Sequence, residues 1–239
     1  MNQWRESLLA SMEHVKTASE AFDNLAPAVR ALGFEYHSYV LRVTIPITRP
    51  ASMGWNNYPD AWRTHYTQKQ YQHADPVLHY GQACTRPMLW PGPLTGYDAF
   101  WHDAGEFGLR YGWSQTTRDH RGAMGTVSLV RGAPPVAPEE LRRIEPEMIW
   151  LCQFVHATMS NLIVSDVMPR GATRLSPREK QVLHWTAEGK TAAEVAAILQ
   201  LSERNVGFHI QNAIDKLDAT NKTHATVKAA MLGLIPVHG

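Results

Sequence analysis

Residues 174–233 constrain the fold more strongly than any other part of the chain, because helix starts and stops can be read directly from them. Ser176 is followed by Pro177, which fits a first helical position, and by Glu179, which can bond back to the cap. These three residues form a predicted capping box. Gly189 then supplies the residue of positive φ that commonly ends a helix, so the first helix of this region is predicted between Ser176 and Gly189.

Two further helix starts follow at short intervals. Thr191 and Glu194 repeat the capping box, and Ser202 caps a third helix after a tight turn. A short helix, a turn and a longer helix with a polar outer face form the arrangement that places one helix in a DNA major groove, although a plain small helical bundle has the same spacing. The predicted DNA contacts are Lys190, Thr191, Arg204, Asn205, Gly207, His209, Gln211 and Asn212.

The length of the chain and the positions of its proline and glycine residues predict two domains. Its 239 residues suffice for one domain of about 160 residues and one of about 65. Pro169 and Gly171 separate two helical patterns and mark a linker. The predicted division is an N-terminal domain at 1–164, a linker at 165–173 and a four-helix, all-α DNA-binding domain at 174–239.

Charge and cysteine content restrict the class of protein further. From Arg174 onward there are eight basic and six acidic residues, a net charge of +2, so phosphate neutralisation alone gives little DNA affinity. Two copies acting together are therefore expected. The two cysteines and the absence of a long apolar run predict a cytoplasmic protein with no membrane span.

The N-terminal region reads as an α+β sandwich. Helical patterns cover its first residues, and one helix is predicted from Thr17 to Gly33. Tyr36 to Val43 and Thr126 to Val130 have strand patterns, and Pro138 to Ser165 reads as a long helix. Helices before, between and after strands of an antiparallel sheet favour an α/β/α arrangement.

Aromatic and polar residues cluster between the two predicted strands. Tyr58, Trp62 and Tyr66 lie four residues apart and share one face if the segment is helical. Asp75 and Trp90 add a carboxylate and a second indole. Such a set suits a small amphiphile with an amide head, because buried polar groups need partners. An aromatic stripe is also typical of a plain core, and an aspartate before proline is often a helix cap.

The chain resembles the LuxR family of quorum-sensing transcription regulators over most of its length. In the C-terminal region the resemblance rests on Leu175 to Lys180, Trp185 to Thr191, Ser202 to Val206, and Phe208-His209. In the N-terminal region it rests on Trp62, Tyr66, Asp75, Trp90 and Gly112. One departure concerns DNA reading, since Gly207 stands where the family usually has lysine, arginine or threonine.

The resemblance implies a bound N-acyl-homoserine lactone and no cofactor. By analogy with the family, Trp62 donates to the lactone carbonyl, Asp75 accepts from the amide N–H, and Tyr58 binds the acyl carbonyl. Ser128 matches a further hydroxyl contact, and Ser38 resembles a ligand contact in members of the CepR and QscR types. Tyr66 and Trp90 are expected to cover the head group. The candidates for the acyl-tail wall are Phe100, Trp101, Leu109, Tyr111 and Leu129.

The function implied by the resemblance is a transcription regulator that binds dyad-symmetric double-stranded DNA as a homodimer. Two alternatives remain open. A protein with DNA binding weakened at Gly207 would act by sequestering signal or by forming mixed dimers. A lactone-processing enzyme would use the same cavity, but Ser128 lies in a strand pattern rather than a nucleophile elbow. No catalytic residue is predicted, and the dispersed histidines predict no metal site.

Overall fold

The computed structural model describes residues 3–43, 51–119, 122–167 and 175–235. These residues divide into two compact units, of which one lies N-terminal to residue 164 and the other contains the C-terminal helices. The helices are α1 Gln3–Met12, α2 Ala18–Asp23, α3 Ala26–Ala31, α4 Asp60–Gln68, α5 Pro76–Ala83, α6 Asp98–Glu106, α7 Pro138–Val167, α8 Pro177–Ala187, α9 Ala192–Leu199, α10 Glu203–Lys216 and α11 Lys222–Met231, with a 3-10 helix at Tyr71–His73. The strands are β1 Tyr36–Val43, β2 Ala51–Asn56, β3 Met88–Trp90, β4 Tyr111–Arg118 and β5 Met124–Arg131.

The N-terminal unit is built on a five-stranded sheet in the order β2-β1-β5-β4-β3. β5 lies at its centre and pairs antiparallel with β1 and β4. Because side chains alternate along a strand, the two faces of β5 differ. α7 lies against the face that carries Trp113, whose indole donates to Glu145 at 3.3 Å. This arrangement confirms the predicted α+β sandwich.

One predicted helix is divided into two. The capping box of Thr17 and Glu20 is present and starts α2, as predicted. However, the helix does not continue to Gly33, because α2 ends at Asp23 and α3 begins at Ala26 with Pro27 in its first turn. Proline lacks the N–H that a continuous helix needs at this point and suits a new helix start.

α7 extends two residues beyond the predicted end at Ser165 and passes through Pro146 without a break. Its first turn is tied to the end of β5 by Arg131, which is 5% exposed. The Arg131 guanidinium donates to both carboxylate oxygens of Glu140, at 2.8 and 2.6 Å, and to the carbonyl of Gly33 at 3.2 Å. Residues 168–174, which include most of the predicted linker, lie outside the described residues.

The C-terminal unit has the predicted helices and caps. Ser176 with Glu179 and Thr191 with Glu194 form complete capping boxes, and Ser202 accepts a hydrogen bond from the third residue of α10. α9 and α10 are joined through Gln200, whose φ of 56° makes the tight turn. The apolar residues that hold the helices together include Val182, Leu183, Val195, Val206, Ala213 and Leu217.

Candidate functional site

A cavity of about 450 Å³ lies in the N-terminal unit. It opens on the sheet face of Ser38 and Ser128, which neighbour each other on β1 and β5. Its size falls within the range of small-molecule sites, about 300 to 1,000 Å³. The predicted ligand-binding residues that line it are Tyr58, Trp62, Tyr66, Asp75, Trp90, Ser128 and Ser38.

α4 supplies two of the aromatic residues. The helix begins at Asp60, so Trp62 and Tyr66 share a helical face while Tyr58 precedes the helix. The backbone N–H of Tyr58 is held by the Asn56 side chain at 3.2 Å, and its hydroxyl donates to Ser38 at 3.1 Å. The expectation of three residues on one helical face was therefore wrong in detail, although all three side chains line the cavity.

The Asp75 carboxylate caps a helix and also faces the cavity. Its Oδ1 accepts from the backbone amides of Val77 and Leu78, at 2.8 and 3.3 Å, and caps α5. Its Oδ2 accepts from the Tyr66 hydroxyl at 2.9 Å on the cavity side. Burial raises the pKa of Asp75 above its usual range, while the hydrogen bonds from Tyr66 and the two amides oppose this shift.

The Trp62 ring is 3% exposed and is enclosed by aromatic residues. Its centroid lies 5.8 Å from that of Tyr66 and 5.7 Å from that of Phe100, both in edge contact. Such contacts fix the orientation of the ring. Trp62 lines the cavity with this ring held in place.

Trp90 is placed by a glycine on the adjacent strand. It pairs with Gly112, where an added Cβ would lie 2.8 Å from the indole Cδ2. Any larger residue at this position would displace the indole, which explains why glycine belongs to the motif. The Trp90 N–H donates to Ser114 Oγ at 2.8 Å, and Ser114 in turn donates to Ser128 at 2.8 Å.

The residues predicted for the acyl-tail wall fall into two groups. Phe100 and Leu109 line the cavity. Trp101 does not line it but contacts Trp90, with ring centroids 5.3 Å apart. Tyr111 and Leu129 do not line it either, because they alternate with Gly112 and Ser128 on their strands and so belong to the other face of the sheet.

Sequence reasoning missed the wall formed by β2 and its neighbours. β2 was not predicted because it is only six residues long and has a glycine in its middle, which weakens a strand pattern. The unpredicted lining residues are Val40, Ser52, Met53, Gly54, Trp55, Asn56, Arg63, Thr67, Gln72, Val77, Leu78 and Thr126.

A second candidate site is the outer face of α10. Arg204, Asn205, Gly207 and Gln211 are exposed, as predicted, whereas His209 and Asn212 are half-buried. In the preceding segment Lys190 is half-buried and Thr191 is exposed, with the Thr191 hydroxyl bonded to Glu194 at 2.8 Å. Most of the predicted set thus lies at the surface of a helix-turn-helix.

Two features of this face were not predicted. Gln211 donates its amide N–H to Asp215 at 3.0 Å, so its side chain is engaged within the helix. Phe208 is 62% exposed on the same helix. Around Gly207 no atom lies within 4 Å of an added Cβ, so a side chain fits there.

In the described ranges, no helix is long and apolar enough to cross a membrane. Among the same residues there is also no group of three histidine, cysteine or acidic side chains that could hold a metal ion.

A cavity-bearing α+β domain and a helix-turn-helix domain together define a ligand-responsive DNA-binding protein. Residues 17–159 match the autoinducer binding domain, and residues 173–229 match the bacterial regulatory proteins of the luxR family. The chain belongs to the LuxR family of autoinducer-binding transcription regulators of quorum sensing. This membership confirms the resemblance seen in the sequence.

Relatives match along nearly the whole chain. The transcriptional repressor ThaA of Burkholderia thailandensis is 41% identical over 248 positions, which cover 99% of this chain and 100% of ThaA. The crystal structure of Escherichia coli SdiA has a TM-score of 0.81 at 33% identity and covers 98% of both chains. SdiA in complex with octanoyl-rac-glycerol has a TM-score of 0.79 at 34% identity, covering 99% of this chain and 97% of SdiA.

The sensor domain alone matches a further structure. This is CepR2 from Burkholderia cenocepacia, described as an N-acylhomoserine lactone dependent LuxR family transcription factor. Its TM-score is 0.55 at 33% identity, and the match covers 66% of this chain and 89% of CepR2. These relatives are regulators rather than enzymes, so the chain is a small-molecule-binding, DNA-binding regulator and the enzyme alternative is set aside.

Proposed function

We propose that the small molecule bound by this protein is an N-acyl-homoserine lactone. The observation that carries the proposal is the combination, in one cavity with six aromatic lining residues, of an indole donor at Trp62 and a carboxylate acceptor at Asp75. An indole only donates and an ionised carboxylate only accepts. A ligand with a carbonyl at one position and an amide N–H at the other satisfies both, and CepR2 is described as dependent on such a lactone.

The proposed roles follow from the hydrogen-bonding capacity of each group. Trp62 donates to the lactone carbonyl, and Oδ2 of Asp75 accepts from the amide N–H beside its bond to Tyr66. Tyr58 donates to the acyl carbonyl, for which its hydroxyl hydrogen leaves Ser38, and Ser128 donates a further bond beside it. Burial raises the pKa of the Tyr58 hydroxyl, which keeps it protonated and able to donate.

The remaining contacts are apolar. Tyr66 and Trp90 cover the head group, and Trp101 supports Trp90 from outside the cavity. The acyl tail lies along the apolar wall to which β2 contributes, an assignment supported by the side chains of Val40, Met53 and Leu109.

A binding measurement tests the ligand assignment. The full chain is expressed with N-octanoyl-homoserine lactone, and extracted small molecules are identified by mass spectrometry. Affinity is then measured by competition, with the ring-opened acyl-homoserine as the control, in which the lactone carbonyl has become a charged carboxylate that is costly to bury. Trp62→Phe is expected to weaken lactone binding by about tenfold or more, because the carbonyl loses its donor. Equal affinity of the wild type for lactone and ring-opened compound would refute the assignment.

We further infer that the regulator acts as a homodimer on a dyad-symmetric operator. Two recognition helices related by a two-fold axis read half-sites about one helical turn apart. The expected contact surfaces are α7 and the segment from Ala225 to Leu232. Ligand that binds only the folded, dimer-competent sensor shifts the population toward that state. Sedimentation of the ligand-bound chain tests this inference, and a monomer at micromolar concentration would contradict it.

The proposed DNA contacts divide by type. Arg204, Asn205 and His209, with Lys190 and Thr191, serve mainly phosphates. The half-buried Asn212 belongs to the same face of α10. Gln211 is the proposed base reader, which requires its amide to leave Asp215. Phe208 supplies an exposed apolar surface suited to a thymine methyl group.

One alternative has specific support. Gly207 contributes no side chain to the groove, and Gln211 is bonded to an acidic residue on the same helix. A protein of this kind acts by sequestering the lactone or by forming mixed dimers. Electrophoretic mobility shifts distinguish the two functions, because a sequestering protein binds lactone with no preference among DNA sequences.

The proposed domain limits are 1–164 and 174–239, with a linker at 165–173. The proposed location is the cytoplasm, which rests on the DNA-binding domain. Fractionation of cells that produce the protein tests the location.

A further inference from the structure

Three serines form a row across the sheet beneath the cavity. Ser114 of β4 neighbours Ser128 of β5, and Ser128 neighbours Ser38 of β1. Each end of the row receives a hydrogen bond from an aromatic residue. Trp90 donates to Ser114 at 2.8 Å, and Tyr58 donates to Ser38 at 3.1 Å.

The direction of the bonds at the Ser114 end is fixed by chemistry. The Trp90 indole can only donate, so Ser114 accepts from it. Ser114 is 3% exposed, and among the described residues the only acceptor for its own hydrogen is Ser128, at 2.8 Å. The opposite direction would leave the Ser114 hydrogen buried without a partner, which is unfavourable. Ser128 therefore accepts from Ser114.

This direction determines what Ser128 offers to a ligand. A serine hydroxyl has one hydrogen, and that of Ser128 is left to bond on the cavity side, where Tyr58 also lies. A chain of hydrogen bonds that all point the same way also strengthens its last donor. Ser128 is thus held as a donor toward the cavity by a residue that does not line it.

We propose that Ser114 is a positioning residue that fixes Ser128 as a hydrogen-bond donor, so that the cavity selects ligands with a carbonyl oxygen at this point. The inference rests on the proposed acyl-homoserine lactone function and deepens it. Ser114 acts through Ser128 and touches no ligand.

A second hydroxyl pair on the same strands provides a matched comparison. Thr116 and Thr126 neighbour each other two residues further along and lie 2.7 Å apart, and Thr126 lines the cavity. Either hydroxyl can be the donor, because no indole fixes the direction. Thr116→Val therefore removes a buried hydroxyl beneath the cavity without affecting the donor state of Ser128.

The test compares two ligands that differ in acceptor strength. N-octanoyl-homoserine lactone and its thioamide analogue share the lactone and the N–H, but sulfur accepts hydrogen bonds more weakly than oxygen. Each compound competes with radiolabelled octanoyl lactone bound to the full chain. The wild type is expected to prefer the oxoamide by about tenfold, the effect of one hydrogen bond. Ser114→Ala is expected to reduce this preference, because Ser128 is no longer held as a donor while Tyr58 still donates to the same oxygen, whereas Ser114→Thr and Thr116→Val keep it.

The outcomes distinguish a failure of the positioning role of Ser114 from a failure of the lactone assignment. A Ser114→Ala protein that binds both compounds more weakly but keeps the wild-type ratio overturns the positioning role and leaves the lactone assignment intact. A wild-type chain that takes up no lactone overturns both. If Ser114→Ala is insoluble, Ser114→Cys carries the test, because a thiol of similar size donates weakly and should show the same loss of preference.

Discussion

Replacing Asp75 by asparagine tests whether one carboxylate caps α5 and binds ligand at the same time. Asparagine caps helices about as well as aspartate, so α5 need not lose stability. It has only one oxygen, however, and here one oxygen faces two backbone amides while the other faces Tyr66 and the cavity. If the asparagine oxygen caps the helix, its NH₂ group points at the Tyr66 hydroxyl and at the ligand N–H.

The expected magnitude follows from the bond that the ligand loses. A hydrogen bond to a charged acceptor contributes about 1.5 to 3 kcal/mol, so Asp75→Asn should weaken lactone binding by about tenfold to a hundredfold. If the side-chain amide is flipped instead, the ligand bond returns, but the NH₂ group faces the amides of Val77 and Leu78. The melting temperature then falls, because loss of a cap costs about 1 kcal/mol.

The assay is ligand competition together with thermal unfolding of the same samples. Asp103→Asn is the matched control, since Asp103 accepts from Tyr71 at 2.7 Å and from His65 at 2.6 Å but does not line the cavity. It should affect stability more than affinity. Wild-type affinity and wild-type melting temperature in Asp75→Asn would together refute the dual role of this carboxylate.

Burial raises the pKa of Asp75, and the carboxylate form accepts the ligand N–H. Lactone affinity should therefore fall on acidification at a higher pH than an ordinary aspartate would give. Asp75→Asn should abolish this dependence in a titration of affinity against pH. Gly112→Ala should destabilise the sensor and reduce ligand uptake, measured by soluble yield with lactone, since its Cβ would lie 2.8 Å from the Trp90 ring. Gly207→Ala should stabilise the helical domain by about 1 kcal/mol in denaturant unfolding, whereas Gly207→Lys should also raise DNA affinity and steepen its salt dependence. Gln211→Ala should relax the preference at one base pair per half-site in binding to operator variants, and an unchanged preference would show that α10 docks differently.

The C-terminal domain was the more predictable part because its signals are local. Ser176, Thr191 and Ser202 each cap a helix through the residue three positions on, so sequence spacing alone identifies the contact. The Gln211 to Asp215 bond is also local, between residues four apart, but the sequence gives no reason to expect it over an exposed, free glutamine.

The sequence predicted only those site residues that belong to the motif and that line the cavity with their own side chain. Trp62 and Asp75, which the sequence predicts as ligand contacts, both line the cavity. Trp101 does not, because neighbouring positions on α6 point in different directions and its neighbour Phe100 faces the cavity instead. Ser114 gave no sequence signal, since its importance comes from strand register with Ser128, a long-range property that spacing along the chain does not encode.

The proposed double use of Asp75 divides the cavity into a part that can change easily during evolution and a part that changes at a cost. In the proposed binding mode, a substitution that alters head-group recognition at this position also removes the cap of α5, unless the new residue is itself a capping residue such as asparagine or serine, so most such changes are penalised. Ser52 and Met53 of β2 line the cavity and cap no helix. Descendants of this protein should therefore diverge in the acyl chains they detect while continuing to detect the same head group.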